Sequence, residues 1–313
     1  MSNQKYVPRH QPGGTSGRRP ILGTALTLAG RLSAIGGGVV SVWLLTVLPP
    51  LVIAGLEAGV GAVMLLLWSL RSPVRDFLRQ IKRHVDRALR STTASILALA
   101  LTNVGVKVGF VYAVASIPLG MVNALYYSAP LIVSVIEGWR RDSGRAQALA
   151  WPLLAATGVA VLTEFWTGDV NLFGIVCGLI AGVCRALSLP ISRSHIRKGK
   201  EEIYTAAATA ISAAAILIWA LLMGEGLAPA WATGTVGLVL ICAAISTFVP
   251  QLLQLTARRF VSDSVYGILL CLSPVLGAVL GLLFLHQPVT LVQGIGIITI
   301  TVAAIGAVRH DSR

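Results

Sequence analysis

The feature that most constrains this chain is a series of long apolar segments separated by short polar loops. Ten such segments fall within the 313 residues, at 20–46, 49–70, 92–117, 118–138, 146–165, 171–191, 203–223, 233–256, 261–285 and 288–308. A helix needs about 20 mostly apolar residues to cross the hydrocarbon core of a bilayer. Only 12% of the residues are charged, whereas soluble domains carry about 25%. The sequence therefore predicts an all-α polytopic membrane protein with ten transmembrane helices.

The basic residues lie on one side of these predicted spans. The regions on that side hold 22 of the 25 Lys and Arg residues and are 1–19, 71–90, 139–145, 192–202, 258–259 and 309–313. Because cytoplasmic loops are rich in Lys and Arg, we expect both termini in the cytoplasm and the chain in the cell (inner) membrane. The net charge of +13 is then a signal of topology, and no nucleic-acid partner is expected.

Ten spans with both termini on the same side of the membrane divide into two halves of five spans each. Because five is an odd number, the second half crosses the membrane in the opposite orientation to the first. The identities at an offset of 144 residues are Ala113 with Ala257, Leu125 with Leu269 and Pro130 with Pro274. We therefore predict two inverted five-helix repeats, at 20–165 and 166–308, with a substrate site near the midplane between them. Segments 1–19 and 309–313 are expected to be cytoplasmic tails, the first of them disordered.

Two segments carry a resemblance to a known family: LPPLVIAGLEAGVGAVMLLLW (48–68) and SPVLGAVLGLLFLHQPVTLVQGIGI (273–297). With the ten spans, they resemble the EamA family of the drug/metabolite transporter superfamily. Residues 249–297 are most similar to the threonine/homoserine exporter subgroup in their Leu-x-x-Pro, Phe-Leu-x-x-x-x-Thr-Leu and Gln placements. The resemblance implies solute transport. The chain departs from the family at His286-Gln287, where Gly-Glu is common, and at Glu57, where Arg is frequent.

Four charged residues, Arg31, Glu57, Lys107 and Arg185, fall well inside predicted spans, where a charge at the helix centre costs about 2.5–3.5 kcal/mol. Glu57 and Lys107 lie at similar depths on consecutive spans. We interpret them as a structural ion pair. The alternative is proton coupling through Glu57, since carboxylates within membranes commonly carry protons.

Arg31 and Arg185 lie near the midplane on the first and sixth spans, which are equivalent in the two repeats. If Glu57 neutralises Lys107, no acid remains at their depth. Two guanidinium groups facing a central cavity would attract a carboxylate or a phosphate. The alternative is that each arginine bonds to backbone carbonyls or pairs with Glu57 across helices.

Polar side chains on the third, fourth, eighth and ninth spans form a candidate wall of the substrate path. They are Asn103, Asn123, Tyr126, Tyr127, Ser128, Gln251, Gln254, Tyr266 and Ser273. The family resemblance implies that some of them contact the substrate, and interhelical hydrogen bonding is the alternative role. Pro130 and Pro274 interrupt helical hydrogen bonding at matching places, so we predict gating bends there.

The sequence contains none of the motifs that signal enzyme chemistry. It lacks HExxH, a Walker phosphate-binding loop and GxSxG, so no catalytic residue, metal site or cofactor is predicted. Its four cysteines lie in apolar segments away from His or acidic clusters, which is typical of buried small side chains rather than of zinc ligands or disulfides.

These observations lead to one functional expectation. We expect a monomeric secondary transporter that moves a small polar metabolite by alternating access, with protons as the candidate coupling ion. Efflux of an amino acid or related carboxylate is the first interpretation. The alternatives are uptake or exchange of another solute, such as a nucleotide-sugar or a vitamin, and lipid scrambling.

Overall fold

The structure is a computed structural model that describes residues 19–69, 88–127, 145–163, 171–196, 201–257, 260–261 and 263–311. All regular secondary structure within these ranges is helical. Most of the predicted N-terminal tail, most of the basic loop at 71–90, Ser128 and Pro130 lie outside the described residues.

A helix lies within each of the ten apolar segments marked in the sequence. The helices are, in chain order, α1 (Arg19–Leu44), α2 (Pro50–Ser69), α3 (Ala88–Ser116), α4 (Leu119–Tyr126), α5 (Arg145–Thr163), α6 (Leu172–Ile196), α7 (Glu201–Leu222), α8 (Thr233–Ala243), α9 (Val249–Ala257), α10 (Asp263–Leu270), α11 (Ser273–Leu285) and α12 (Leu291–Asp311). A short 3-10 helix (Ala228–Trp231) precedes α8. The segment Ala244–Phe248, which joins α8 to α9, is π-helical.

Five helical stretches in the described residues are long and apolar enough to cross a membrane. They are Ile21–Leu44, Pro50–Trp68, Thr93–Ser116, Tyr204–Leu222 and Gly234–Gln254. Large apolar side chains also face outward, such as Leu101, Leu222 and Leu291, which are 74%, 78% and 83% exposed. Extended exposed apolar surface is typical of a membrane-facing protein. The all-helical class is therefore confirmed for the described residues, and the ten-span count stays a prediction.

The ninth predicted span is not one continuous helix. α10 ends at Leu270 and α11 begins at Ser273, with Pro274 in the first turn of α11. Proline is tolerated there because the first helical residues have no intrahelical partner for their N–H groups. The Ser273 hydroxyl donates to the Leu270 carbonyl at 2.7 Å, which satisfies one acceptor at the interruption.

The most extensive helix contacts join the two predicted halves of the chain. The pairs are α3 with α6, α2 with α7, α5 with α12, α1 with α9, α3 with α7 and α4 with α11. Glycine allows close approach at these contacts, as where Gly37 of α1 meets Ser246 and Gly109 of α3 meets Ala181 of α6. Small residues at helix contacts are the usual basis of packing between membrane helices.

Two apolar clusters fill the interior, and each draws residues from both predicted halves. Buried members are Ile35, Leu119, Leu125, Leu162 and Ile300 in the first cluster and Leu44, Val52, Ile53, Val111 and Ile216 in the second. Ile35 follows Arg31 by one helical turn on α1. The first cluster therefore fixes the helix that carries Arg31.

The loop between α11 and α12 is anchored to the start of α4. His286 ends α11 in the left-handed conformation, with a φ of 53°. This backbone turn directs Gln287 inward, where its Oε1 atom accepts a hydrogen bond from the Leu119 N–H at 3.0 Å. The side chain of Gln287 thus satisfies a backbone donor in the first turn of α4, which otherwise has no intrahelical partner.

Replacing His286 with glycine should raise the stability of the protein by about 1 kcal/mol. A left-handed L-residue costs about 1–2 kcal/mol, and the greater entropy of glycine in the unfolded chain offsets part of the gain. Thermal unfolding of the purified protein measures the change as a higher melting temperature. The control His286→Ala keeps the Cβ atom and should show no gain. A glycine variant that melts no higher than the wild type would contradict the assigned backbone strain.

Candidate functional site

Arg31 is a buried cation near the middle of α1. Its side chain is only 2% exposed. Nη1 donates to the Tyr127 hydroxyl at 2.9 Å, and Nη2 donates to the Tyr266 hydroxyl at 3.4 Å. The guanidinium carbon also lies 5.3 Å from the centre of the Tyr127 ring, a distance that permits a cation–π interaction. Two tyrosines from α10 and the end of α4 therefore hold the arginine in place.

The hydrogen bonds extend from Tyr266 to a third polar side chain. The Tyr266 hydroxyl donates to Gln254 Oε1 on α9 at 2.9 Å. Arg31, Tyr127, Tyr266 and Gln254 thus form one connected network, which we call the arginine network. All four residues were predicted as site residues from the sequence, and the fold brings them together from four helical segments.

The arginine network contains no carboxylate among the described residues. The partners of Arg31 are neutral hydroxyl groups, and its Nε atom is buried without a hydrogen-bond acceptor. A buried charge whose hydrogen bonds are incomplete carries a desolvation penalty that neutral partners offset only in part. An incoming carboxylate has the charge and the two oxygens that this guanidinium lacks.

A third tyrosine, Tyr126, packs against the arginine network. The rings of Tyr126 and Tyr127 meet edge to face at a centroid distance of 4.7 Å, and Phe110 packs against Tyr126 at 5.6 Å. Arg185 of α6 lies on the helix face that packs against α4, since Gly178 contacts Leu125 and Arg185 follows Gly178 by about two helical turns. Arg185 is half-buried near the middle of α6. Within the described part of the chain, its guanidinium makes no hydrogen bond or ion pair.

The one carboxylate inside the described bundle is bound to another cation. Lys107 of α3 donates to Glu57 Oε1 of α2, forming a salt bridge, and also donates to Thr247 Oγ1 at 2.9 Å. The Ser246 hydroxyl donates to the same Glu57 oxygen at 2.5 Å. The side chains of Lys107 and Glu57 are 20% and 6% exposed. The charge of Glu57 is therefore compensated by Lys107, and Glu57 is not the counter-ion of Arg31.

Sequence reasoning missed Ser246 and Thr247, which lie in the π-helical segment between α8 and α9. Hydroxyl residues are common in membrane helices, and no sequence pattern here signals a π-helical turn. The same segment contacts α1, since the Ser33 hydroxyl donates to the Ile245 carbonyl at 2.7 Å. Ser33 follows Arg31 by two residues, so the arginine network and the Glu57–Lys107 pair share one structural support.

The remaining predicted site residues have different surroundings. Asn123 is 1% exposed, donates to the Leu119 carbonyl at 2.8 Å and lies against Gly277. Ser273 is also buried and bonds within its own segment. Asn103 and Gln251 are half-buried, and their side-chain amides make no hydrogen bond with other described residues. Asn103 shares a helix face with Lys107, and Gln251 shares one with Gln254, because their spacings are four and three residues.

Comparison with known proteins identifies the family. The sequence model of the EamA-like transporter family matches residues 172–309. The threonine/homoserine exporter RhtA of Escherichia coli (strain K12) is 30% identical over 228 residues, which cover 69% of this chain and 74% of that protein. This chain belongs to the EamA-like transporter family. The family resemblance of the sequence, including its RhtA-like character, is thereby confirmed.

Further relatives of this EamA-like protein are more distant. The threonine/homoserine exporter RhtA of Salmonella typhimurium (strain SL1344) is 28% identical over 217 residues, covering 68% of this chain and 70% of the relative. An uncharacterized transporter of Archaeoglobus fulgidus is 27% identical over 205 residues, covering 64% and 72% of the two chains. Membership of this family identifies the chain as a membrane transporter.

A solved crystal structure shares the fold of this EamA-like transporter. The two chains are 16% identical, and the match covers 96% of this chain and 100% of the other, with a TM-score of 0.57. At this identity the likeness extends to the fold alone.

A double-mutant cycle tests whether Glu57 and Lys107 form a structural pair. Glu57→Gln and Lys107→Met should each lower the melting temperature, because each leaves one charge buried without its partner, a change that costs about 3–5 kcal/mol for a buried pair. The double variant should recover much of the loss. The thermal stability of all four proteins gives the coupling. If the two losses simply add, the pair has no structural role.

Proposed function

We propose that this EamA-like protein is a ten-helix secondary transporter that exports an amino acid or related carboxylate by alternating access. The observation that carries the proposal is the buried Arg31 guanidinium, whose partners are neutral and whose Nε atom has no acceptor. The relatives from Escherichia coli and Salmonella typhimurium are named as threonine/homoserine exporters, and both of those solutes carry a carboxylate.

The boundaries of two short helices support the inverted repeat. α4 covers Leu119–Tyr126 and α10 covers Asp263–Leu270, so the two helices have equal length and are related by the 144-residue offset found in the sequence. Pro130 and Pro274 follow them at equivalent positions. In this proposal, each fourth helix of a repeat is interrupted at the same point.

Reciprocal packing supports the repeat independently. Where the fifth and tenth spans meet, Gly158 of α5 lies against Ile300 and Gly296 of α12 lies against Leu162. The two counterpart helices therefore each place a glycine against a large apolar residue of the other helix. A pseudo-two-fold axis in the membrane plane would relate such contacts to each other.

In the proposed mechanism, the solute carboxylate binds Arg31 and replaces its neutral partners. A carboxylate forms charge-assisted hydrogen bonds that are about twice as strong as neutral ones, and Arg offers it a planar fork. Binding would therefore release the hydroxyls of Tyr127 and Tyr266. These tyrosines lie on the segments that precede Pro130 and Pro274, so ligand binding acts directly on the two proposed gating bends.

Protons are the candidate coupling ion, with Glu57 as the candidate carrier. Glu57 is the membrane-embedded carboxylate of the described residues, and its Oε1 atom contacts Lys107 together with Ser246. If it carries the proton, Glu57→Gln will keep a stable fold and lose the response of transport to an imposed pH gradient. Loss of stability together with unchanged pH response favours the structural role.

Comparison of a carboxylate solute with its amide analogue tests the proposed site. Wild-type protein should bind threonine about tenfold to a hundredfold more tightly than threoninamide, the range expected for one charge-assisted hydrogen bond. Arg31→Gln should remove this preference, and Arg31→Lys should restore it in part because Lys lacks the bidentate fork. Isothermal titration calorimetry of the purified protein measures each dissociation constant.

The matched control is Arg145→Gln, which removes one positive charge at the first residue of α5. It should keep the wild-type preference, since Arg145 begins α5 and is not a member of the arginine network. A wild-type protein that does not distinguish the two ligands would contradict the proposed carboxylate site. So would an Arg31→Gln variant that folds and keeps the preference.

A further inference from the structure

The aromatic pair Tyr126–Tyr127 lies between two arginines from different halves of the chain. Tyr127 accepts a hydrogen bond from Arg31 of α1. Arg185 lies on the face of α6 that packs against α4, because Gly178 of α6 contacts Leu125 and Arg185 follows Gly178 by about two helical turns. The rings of Tyr126 and Tyr127 are in contact at 4.7 Å, so the arginine-bearing faces of α1 and α6 both lie against the segment that carries this aromatic pair.

Among the described residues, the charges around this aromatic pair do not balance. The charge of Lys107 on α3 is compensated by Glu57. Within the described ranges, neither Arg31 nor Arg185 forms a salt bridge. The pair of arginines therefore presents two uncompensated positive charges, one fully buried and one half-buried.

Solutes of different charge would bind to this pair of arginines with different affinities. A monocarboxylate neutralises one guanidinium group and leaves the other without a counter-ion. A zwitterion without net charge, such as threonine, also neutralises one guanidinium group only, and its ammonium group provides no counter-ion for the second arginine. A solute with two acidic groups neutralises both arginines and also supplies an acceptor for the orphaned Arg31 Nε.

We infer that the transported solute carries two carboxylate groups, one bound by Arg31 and the other by Arg185. This inference rests on the proposed carboxylate site at Arg31 and narrows its substrate class to dicarboxylates, including acidic amino acids.

Two matched ligand pairs test the inference on the purified full-length protein. Succinate and butyrate share a four-carbon chain and differ by one carboxylate, and glutamate and glutamine differ by the same charge. The wild type should bind the more acidic member of each pair about tenfold to a hundredfold more tightly, the range for one added charge-assisted hydrogen bond. Titration calorimetry measures all four dissociation constants.

Variants at Arg185 test whether this residue binds the second carboxylate. Arg185→Gln should bring the affinity for succinate down to that for butyrate, and Arg185→Lys should restore part of the difference. Arg145→Gln removes a charge elsewhere and should keep the full difference. If Arg185→Gln does not fold, the wild-type ligand pairs and Arg185→Lys still decide the question.

The possible outcomes separate this inference from the proposed function. If the wild type binds succinate and butyrate equally, or Arg185→Gln keeps the succinate preference, the second carboxylate site is wrong. If the wild type still binds butyrate more tightly than butyramide, and Arg31→Gln removes this difference, the carboxylate site at Arg31 is supported and only the second site is wrong. If butyrate and butyramide bind equally, the proposed carboxylate site and this inference both fail.

Discussion

A buried guanidinium group with no carboxylate partner among the described residues is the physical constraint on which the arrangement of this bundle depends. Arg31 lies among apolar helices, and an unpaired charge in that environment is destabilising. The hydroxyls of Tyr127 and Tyr266 and the face of the Tyr127 ring reduce the penalty, but neutral groups do not cancel a charge. In the proposed function, the carboxylate of the solute completes this site.

The second charged cluster is built on the same supports as the first. α1 carries Arg31, and it also contacts the π-helical segment through Ser33 and Gly37. That segment provides Ser246 to Glu57 and continues into α9, which carries Gln254. A π-helical turn inside an α-helix is an irregularity often found at functional sites. Any movement of α1 relative to this segment therefore alters the surroundings of both charged clusters.

The sequence predicted those features of the fold and the site that depend on one large contribution to the free energy. Long apolar segments predicted the helices, and the cost of a charge inside a membrane singled out Arg31, Glu57, Lys107 and Arg185 as residues that need partners. The sequence did not reveal the π-helical segment, the left-handed His286 or the hydroxyls around Glu57. These features depend on contacts between distant segments, such as Ser246 with Glu57 and Gln287 with Leu119, and local patterns do not encode them.

The most direct test of the central claim is an experimental structure with a bound carboxylate solute. The account predicts carboxylate oxygens about 2.7–2.9 Å from the guanidinium nitrogens of Arg31, the usual distance for charge-assisted hydrogen bonds. It also predicts that the Tyr127 and Tyr266 hydroxyls have moved away from the arginine. A solute bound elsewhere, with Arg31 still hydrogen-bonded to both tyrosines, would contradict it.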